Sequence, residues 1–340
     1  VKFRVGGTAN TEFDVLTGMQ TNAISAATTS SFRAVNRNLD SVLRLFGDDG
    51  YHTSFFHPGD DWFYNRENVY RWFGAGKTVF ADEMADLEYK GRWVTDDYMA
   101  GLIEDEFEEA VASGTPLFHY TTTIQNHMSY TADKYGEDYD YPDVPLTVSV
   151  SEEAETLLKV YMEGARDADA MLGKLTEYFS QVDEPVILVF WGDHYNPIDS
   201  NYDVYTTTGY ASGSSTDPRL HQTTLLMWSN YSQQQVDFGT IAAYDISPVM
   251  MELFGLEQPL YFQFLNRQLR VASRSCTRGT TMNLDGTTTQ QPTEFQQRWT
   301  NEHWMLQYDL MFGKGAQTVV GSAVSVEADY YTKEYETAEE

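Results

Sequence analysis

One cysteine, no long apolar run and few basic residues set the outer limits on this chain. Cys276 stands alone, so neither an internal disulfide nor a cysteine zinc cage can form. The redox compartment stays open. No stretch approaches the roughly 20 apolar residues of a membrane-spanning helix, and no charged-then-apolar leader opens the sequence. The 22 lysines and arginines face 51 acids, a formal net charge of −29. Without a basic stripe to neutralise phosphates, this balance argues against a nucleic-acid partner. A phosphorylated substrate remains compatible, since it needs only a local positive cluster or a metal. An initiator Met is absent too: Val1-Lys2-Phe3-Arg4-Val5 runs straight into a glycine pair, and we expect numbering that begins inside a longer protein. With 340 residues the chain can bury a large core, and one main domain with a tail is the expectation.

The most informative stretch is Val186-Ile187-Leu188-Val189-Phe190-Trp191 followed by Gly192-Asp193-His194. An apolar run without alternation reads as a strand buried on both faces of a parallel sheet. A carboxylate and an imidazole just past its carboxyl end sit where open α/β sheets place ligands, and both are ligand types for a divalent cation. Read alone, such a pair is also what an ordinary turn contains.

Earlier, Gly6-Gly7-Thr8 precedes a helix expected to start at Thr11. A hydroxyl in the field of free N–H groups at a helix start is a candidate nucleophile if a metal also binds it. Ser30 to Phe46 carries Phe32, Val35, Leu39, Val42, Leu43 and Phe46 at helical spacing. A strand over Tyr51–Phe56 leads into a loop with His57, Tyr64 and Arg66, whose guanidinium offers a planar fork for a phosphoryl group. Asp96 to Ser113 reads as a helix closed by Gly114, and Pro116 to Thr123 as a strand. His119 lies within that strand and is expected to be a packed histidine; His127 lies past its carboxyl end and is expected at the ligand rim. A Tyr- and Asp-rich loop without a period covers Tyr130 to Val144. The helix Ser151 to Phe179, capped by Ser151, then feeds the Val186 strand as a βαβ crossover. Further on come a polar excursion from Ile198 to Arg219, a strand Thr223–Trp228, a helix Ile246–Phe254, a hairpin within Arg270–Asp285, a helix Thr293–Phe312 and an acidic tail, Glu327–Glu340, expected to be disordered or a tether.

Six motifs in fixed order carry a resemblance: Gly-Gly-Thr-Ala-Asn-Thr-Glu-Phe from Gly6, Phe-His-Pro with Asn-Arg-Glu-Asn-Val-Tyr, Thr-Thr-Ile-Gln-Asn-His ending at His127, Trp-Gly-Asp-His-Tyr from Trp191, Tyr-Asp-Ile-Ser-Pro from Tyr244, and Leu306-Gln307-Tyr308-Asp309 onward to Lys314. Together they resemble the extracellular catalytic domain of the lipoteichoic acid synthase family, sulfatase-like phosphoglycerol transferases of the alkaline phosphatase superfamily. The resemblance implies an α/β fold, a three-layer sandwich with a largely parallel central sheet flanked by helices and a small C-terminal subdomain. The implied division is a catalytic core over residues 1–265, a subdomain over 266–320 and a tail over 321–340.

By the same resemblance Thr8 is the nucleophile, taking phosphoglycerol as a covalent intermediate and binding the metal. Asp193 and His194 are metal ligands, and His57, Tyr64, Arg66 and His127 contact substrate. Tyr64 stands where a tryptophan is usual. The ion is manganese, with magnesium as the substitute. The donor is phosphatidylglycerol and the acceptor a glycolipid, a polyglycerol phosphate chain or a glycan. The location is the outer face of a bacterial membrane, anchored by spans upstream of this chain, or free after release as a soluble fragment. One departure stands out: the family's metal-binding glutamate, on the first core strand, has no counterpart here. Glu12 is a poor replacement, being one helical turn past Thr8. An upstream segment is therefore expected to supply both the glutamate and the strand. A formylglycine sulfatase needs Cys or Ser where Thr8 stands. A phosphoethanolamine transferase, a phosphodiesterase and a non-catalytic glycerophosphate-binding module remain the alternatives.

Overall fold

The structure is a computed structural model that describes residues 7–24, 30–196, 198–199, 202–212, 217–277 and 280–313. The expected tail, Lys314, Val1–Val5 and parts of the polar excursion lie outside these residues. In chain order the helices are α1 (Thr8–Thr17), α2 (Thr21–Ile24), α3 (Val42–Asp48), α4 (Arg66–Phe73), α5 (Asp96–Ser113), α6 (Glu152–Phe179), α7 (Asp203–Thr207), α8 (Ile246–Leu253), α9 (Leu260–Val271) and α10 (Glu294–Phe312). The strands are β1 (His52–His57), β2 (Lys77–Phe80), β3 (Tyr89–Lys90), β4 (Trp93–Val94), β5 (Leu117–Thr121), β6 (Ile187–Trp191), β7 (Leu225–Ser229), β8 (Ser275–Thr277), β9 (Thr280–Met282) and β10 (Thr288–Thr289). Among the described residues no helix is long and apolar enough to cross a membrane.

Two compact units emerge, one of residues 1–45, 71–74 and 232–340, the other of 46–70 and 75–231. The boundary expected at 265/266 falls within α9.

In the second unit β1 is central, parallel to β2 on one side and to β5 on the other. Successive side chains on a strand point to opposite faces, and β1 shows it. Phe56 joins a core with Met99 and Ala100 of α5 and Met171, Leu175 and Phe179 of α6. Phe55 stacks on Tyr70 of α4 with ring centroids 3.4 Å apart. Helices thus cover both faces, giving the layered α/β arrangement expected. Caps fix the two long helices: Thr95 accepts from the Tyr98 N–H and Ser151 from the Ala154 N–H.

The expected βαβ crossover is met only in part. β6 lies over the same core through Leu188, but its ladder is antiparallel, to β7. Among the described residues β5 pairs only with β1, and β6 only with β7. The rings of Tyr120 on β5 and Trp191 on β6 are 5.6 Å apart. All five β6 residues are half-buried rather than sealed on both faces.

In the first unit α1 is buried along most of its length and ends at Gly18, whose φ of +70° closes the helix in the left-handed conformation. Ser247 donates to the Val15 carbonyl and Tyr261 to that of Gly18. The strands β8, β9 and β10 form an antiparallel sheet around the expected hairpin. A capping box of Thr293 and Gln296 starts α10.

The helix expected over Ser30–Phe46 is not continuous. A single 3-10 turn, Ser31–Ala34, gives way to extended backbone at Val35 before α3 begins. The intervening backbone finds partners outside the helix, Leu39 N–H donating to the Trp72 carbonyl and Ser41 Oγ to that of Phe73. The apolar residues at helical spacing are nonetheless all buried.

Candidate functional site

Thr8 is the first residue of α1, not a residue before a helix starting at Thr11. Gly7 occupies the cap position, and its carbonyl accepts from the N–H groups of Asn10 and Thr11 at 2.8 and 3.1 Å. The Thr8 hydroxyl is therefore carried at the positive end of the helix. Glu12 is buried within α1.

The other predicted residues lie in the second unit, at the carboxyl ends of β1, β5 and β6. His57 is the last residue of β1 rather than a loop residue. Its Nδ1–H donates to the Thr122 carbonyl, just past β5, at 2.8 Å. Arg66 opens α4 with its guanidinium carbon 5.1 Å from the centre of the Tyr64 ring. Tyr64 and Asn65 both have φ near +60°, a left-handed pair that non-glycine residues adopt at a cost. At 5% and 2% exposure, His57 and Arg66 are buried. His127 is exposed. Its Nδ1–H donates to the Met128 carbonyl, since a carbonyl can only accept, and its ring lies 5.5 Å from that of Trp93.

At the end of β6 the Gly192 N–H donates to the Thr224 carbonyl, and Thr223 Oγ1 donates to the Gly192 carbonyl at 2.7 Å. A Cβ on Gly192 would come to 3.0 Å from Thr223 Cβ, so glycine permits this close approach. Asp193 Oδ1 accepts from the His194 N–H. His194 Nδ1–H donates to the Tyr195 carbonyl at 2.8 Å, and its Nε2 lies 3.3 Å from Asp193 Oδ2. A ring nitrogen and a carboxylate oxygen this close can share a cation, a divalent ion as well as a proton, and tying the second ring nitrogen to a carbonyl is how metal-binding histidines are oriented. The pair suits a divalent ion but supplies two donors. Among the described residues no group of three or more His, Cys, Asp or Glu forms a metal site.

The charge of Asp193 is felt at Tyr130, in the loop that carries His127. Burial raises the Tyr130 phenol far above its ordinary range, neighbouring tyrosines add to this, and the Asp193 charge contributes. Tyr130 donates in turn to the Asn126 carbonyl. The structure thus pairs Asp193 with His194 at the end of β6, and ties His57 to the first residue of the segment leading to His127.

His119 is a packed histidine, as expected. Ser54 Oγ donates to its Nδ1 at 2.8 Å, its Nε2–H donates to Thr121 Oγ1, and burial pushes the ring down to about 4. Two features escaped the sequence reading. Trp93 and Lys134 flank His127, brought together from a hairpin and a loop far apart in the chain. In the first unit Gln20, His303 and Gln307 form a buried polar cluster. The aperiodic tyrosine-rich loop was the one sequence signal for the former, and the Leu-Gln-Tyr-Asp motif for the latter.

The Sulfatase family's sequence model matches residues 2–256. A Rhizobium meliloti (strain 1021) protein whose name assigns it to cyclic beta-1,2-glucan modification is 27% identical over 270 residues, covering 77% of this chain and 41% of that relative. The capsular polysaccharide biosynthesis protein RkpI of the same organism is 26% identical over 194 residues, 56% of this chain and 33% of its own length. The chain therefore spans less than half of either relative. Among solved structures, Streptococcus pyogenes phosphoglycerol transferase GacH in complex with sn-glycerol-1-phosphate superposes with a TM-score of 0.70 at 20% identity, over 91% of this chain and 74% of that one. The lipoteichoic acid synthase LtaP from Listeria monocytogenes gives 0.65 at 17%, over 90% and 80%. A Vibrio parahaemolyticus protein of the alkaline phosphatase superfamily gives 0.55 at 18%, over 86% and 76%. These likenesses fix the fold, and the sequence match over most of its length shows that this chain belongs to the Sulfatase family.

Proposed function

We propose that this domain is a metal-dependent phosphoglycerol transferase, moving glycerol phosphate from phosphatidylglycerol through a phospho-Thr8 intermediate to a hydroxyl of an acceptor. The observation that carries the reading is a threonine, which cannot mature to formylglycine, as the first residue of α1 in a Sulfatase-family chain whose Gly-Asp-His turn holds His194 Nε2 beside Asp193 Oδ2. The names of the Rhizobium relatives favour a glycan as acceptor over a polyglycerol phosphate chain. On this reading the enzyme works at the outer face of a bacterial membrane, with anchor, first core strand and a third metal-binding carboxylate supplied from outside residues 1–340.

Asp193 and His194 would hold a divalent ion, manganese by family resemblance, and such an ion would supply Lewis acidity for activating the threonine hydroxyl. Thr8 Oγ attacks the phosphorus of the lipid head group, the phosphorus–oxygen bond to diacylglycerol breaks, and diacylglycerol leaves with a proton. Arg66, His57 and His127 offset charge on the phosphoryl oxygens, and Tyr64 packs beside Arg66. The acceptor hydroxyl then attacks phospho-Thr8 and restores the threonine, a double displacement.

Intact mass spectrometry of the full-length protein, incubated with Mn²⁺ and phosphatidylglycerol, tests this. The parent is expected to gain one glycerophosphate and Thr8→Ala none. Lipid binding without any adduct on the parent would sink the transferase reading for this donor.

A further inference from the structure

The loop after β5 carries Tyr130, Tyr135, Tyr139 and Tyr141 without a period, and the proposed chemistry makes no use of it. In the structure it is pinned by two lysines. Lys90 of β3 bonds Glu163 Oε1 at 2.7 Å and Asp167 Oδ2 at 2.6 Å, and its ammonium lies about 5 Å from the rings of Tyr135 and Tyr139. Lys134 is held differently. The residue is 5% exposed, and none of the described carboxylates pairs with it. The ammonium sits 4.3 Å from the Trp93 ring centre, 5.2 Å from that of Tyr135 and 5.5 Å from that of Tyr130. It donates to the backbone carbonyl of His127.

A buried ammonium without a counter-ion is costly, and ring faces return only part of that cost. The surroundings are nonetheless built to hold it there. The β3–β4 turn presses backbone to backbone on this residue: Gly91 has φ +63°, and a Cβ there would stand 2.2 Å from the Lys134 carbonyl oxygen. Trp93, from the same hairpin, touches both the Lys134 ammonium and the His127 ring. With Nδ1 of His127 committed to the Met128 carbonyl, Nε2 is the ring atom left for a ligand.

We propose that Lys134 is a positioning residue for His127: its charged ammonium holds the His127 carbonyl and, through Trp93, the imidazole, so that Nε2 is presented to a phosphoryl oxygen. The proposal rests on the transferase reading in one respect, that His127 contacts substrate.

The arrangement carries its own pH signature. Burial and the charge of Arg92 push the Lys134 ammonium down to about 8. Of the groups facing it, Arg92 in the hairpin turn is a guanidinium and keeps its charge. Burial holds the phenols of Tyr130 and Tyr135 far above their ordinary range. The neighbouring Asp133 carboxyl is held below its usual range by Thr131. Lys134 is thus the group in this box that changes charge near pH 8, and above it the hold on His127 weakens.

The test is ring NMR of the full-length protein with labelled histidines, the His127 signal assigned through His127→Gln, together with the pH profile of phosphatidylglycerol turnover. In the parent the His127 signal should show a step with its midpoint at about 8. Lys134→Met should lack the step and sit at the parent's high-pH position. Lys134→Arg should lack the step and keep the low-pH position. Turnover at pH 7 should fall about tenfold or more in Lys134→Met, return in Lys134→Arg, and lose its alkaline decline in the arginine variant. A parent signal without the step, or an identical step in Lys134→Met, overturns the proposal. Should Lys134→Met fail to fold, the parent and the arginine variant still decide. If the coupling is seen but phosphatidylglycerol is not turned over, the transferase reading fails and the positioning of His127 stands.

Discussion

Truncating Gln307 probes the closest link between a sequence motif and the packing of this chain. Gln307, in the Leu-Gln-Tyr-Asp motif on α10, makes a reciprocal pair with the backbone of Gln20. Its Oε1 accepts from the Gln20 N–H at 2.8 Å and its Nε2 donates to the Gln20 carbonyl at 2.9 Å. Both residues are sealed from solvent. The Gln20 side chain is held too, its Nε2 donating to His303 Nδ1 and its Oε1 accepting from the Trp304 indole. His303 Nε2–H donates onward to the Tyr261 hydroxyl, which donates to the Gly18 carbonyl. Gln307→Ala removes both hydrogen bonds to the Gln20 backbone, while the Gln20 carbonyl keeps the Ala23 N–H as a donor. Two lost bonds at about 0.5–1.5 kcal/mol each give an expected loss of about 1–3 kcal/mol. Gln297, on the same helix but exposed and bonded only to Asn301, is the control, and Gln297→Ala should stay within about 0.5 kcal/mol. Urea unfolding followed by tryptophan fluorescence, which Trp304 reports at the site itself, measures both, and amide exchange at Gln20 reads the broken bond directly. Equal losses for the two variants, with Gln20 exchange unchanged, would refute the reasoning.

Asp14 offers a pH test. Its Oδ1 accepts from the Thr21 N–H and hydroxyl, yet burial pushes the carboxyl up to about 7. Between about pH 4 and 7 the folded chain keeps a proton that the unfolded chain has lost, so stability falls as pH rises through that window, by about 4 kcal/mol at most. Asp14→Asn keeps the acceptor and should flatten this slope in unfolding curves taken across the window; an unchanged slope would count against it. At the β6 turn, Gly192→Ala places a methyl 3.0 Å from Thr223 Cβ. It should cost about 1–3 kcal/mol of stability and weaken Mn²⁺ binding about tenfold by tilting Asp193 and His194. Melting and calorimetric titration of the full-length protein check both, and parent-like values would show that the turn adapts.

Much of the architecture was legible locally. Ser151 announces α6 and Gly114 ends α5, both read from the sequence, while the Thr95 cap of α5 and the capping box at Thr293 were added by the structure. The apolar run before Gly192 is a strand, with the Asp-His pair at its carboxyl end. The residues between Phe32 and Phe46 were rightly read as core and wrongly as one helix. Periodicity reports which side chains are buried, whereas the backbone at Leu39 takes its partner from Trp72.

The sequence by itself determined helices α5, α6, α8 and α10, core residues such as Phe32 and Leu43, and the motifs whose order led to the family. Tertiary structure decided the rest. It paired β6 antiparallel with β7, turned His57 and Arg66 almost fully inward, set His194 Nε2 against Asp193 Oδ2, and boxed Lys134 between Trp93 and two tyrosines. Caps and periods act within a few residues. Strand partners, ring contacts and buried polar bonds join residues tens to hundreds of positions apart, and no local pattern names them in advance.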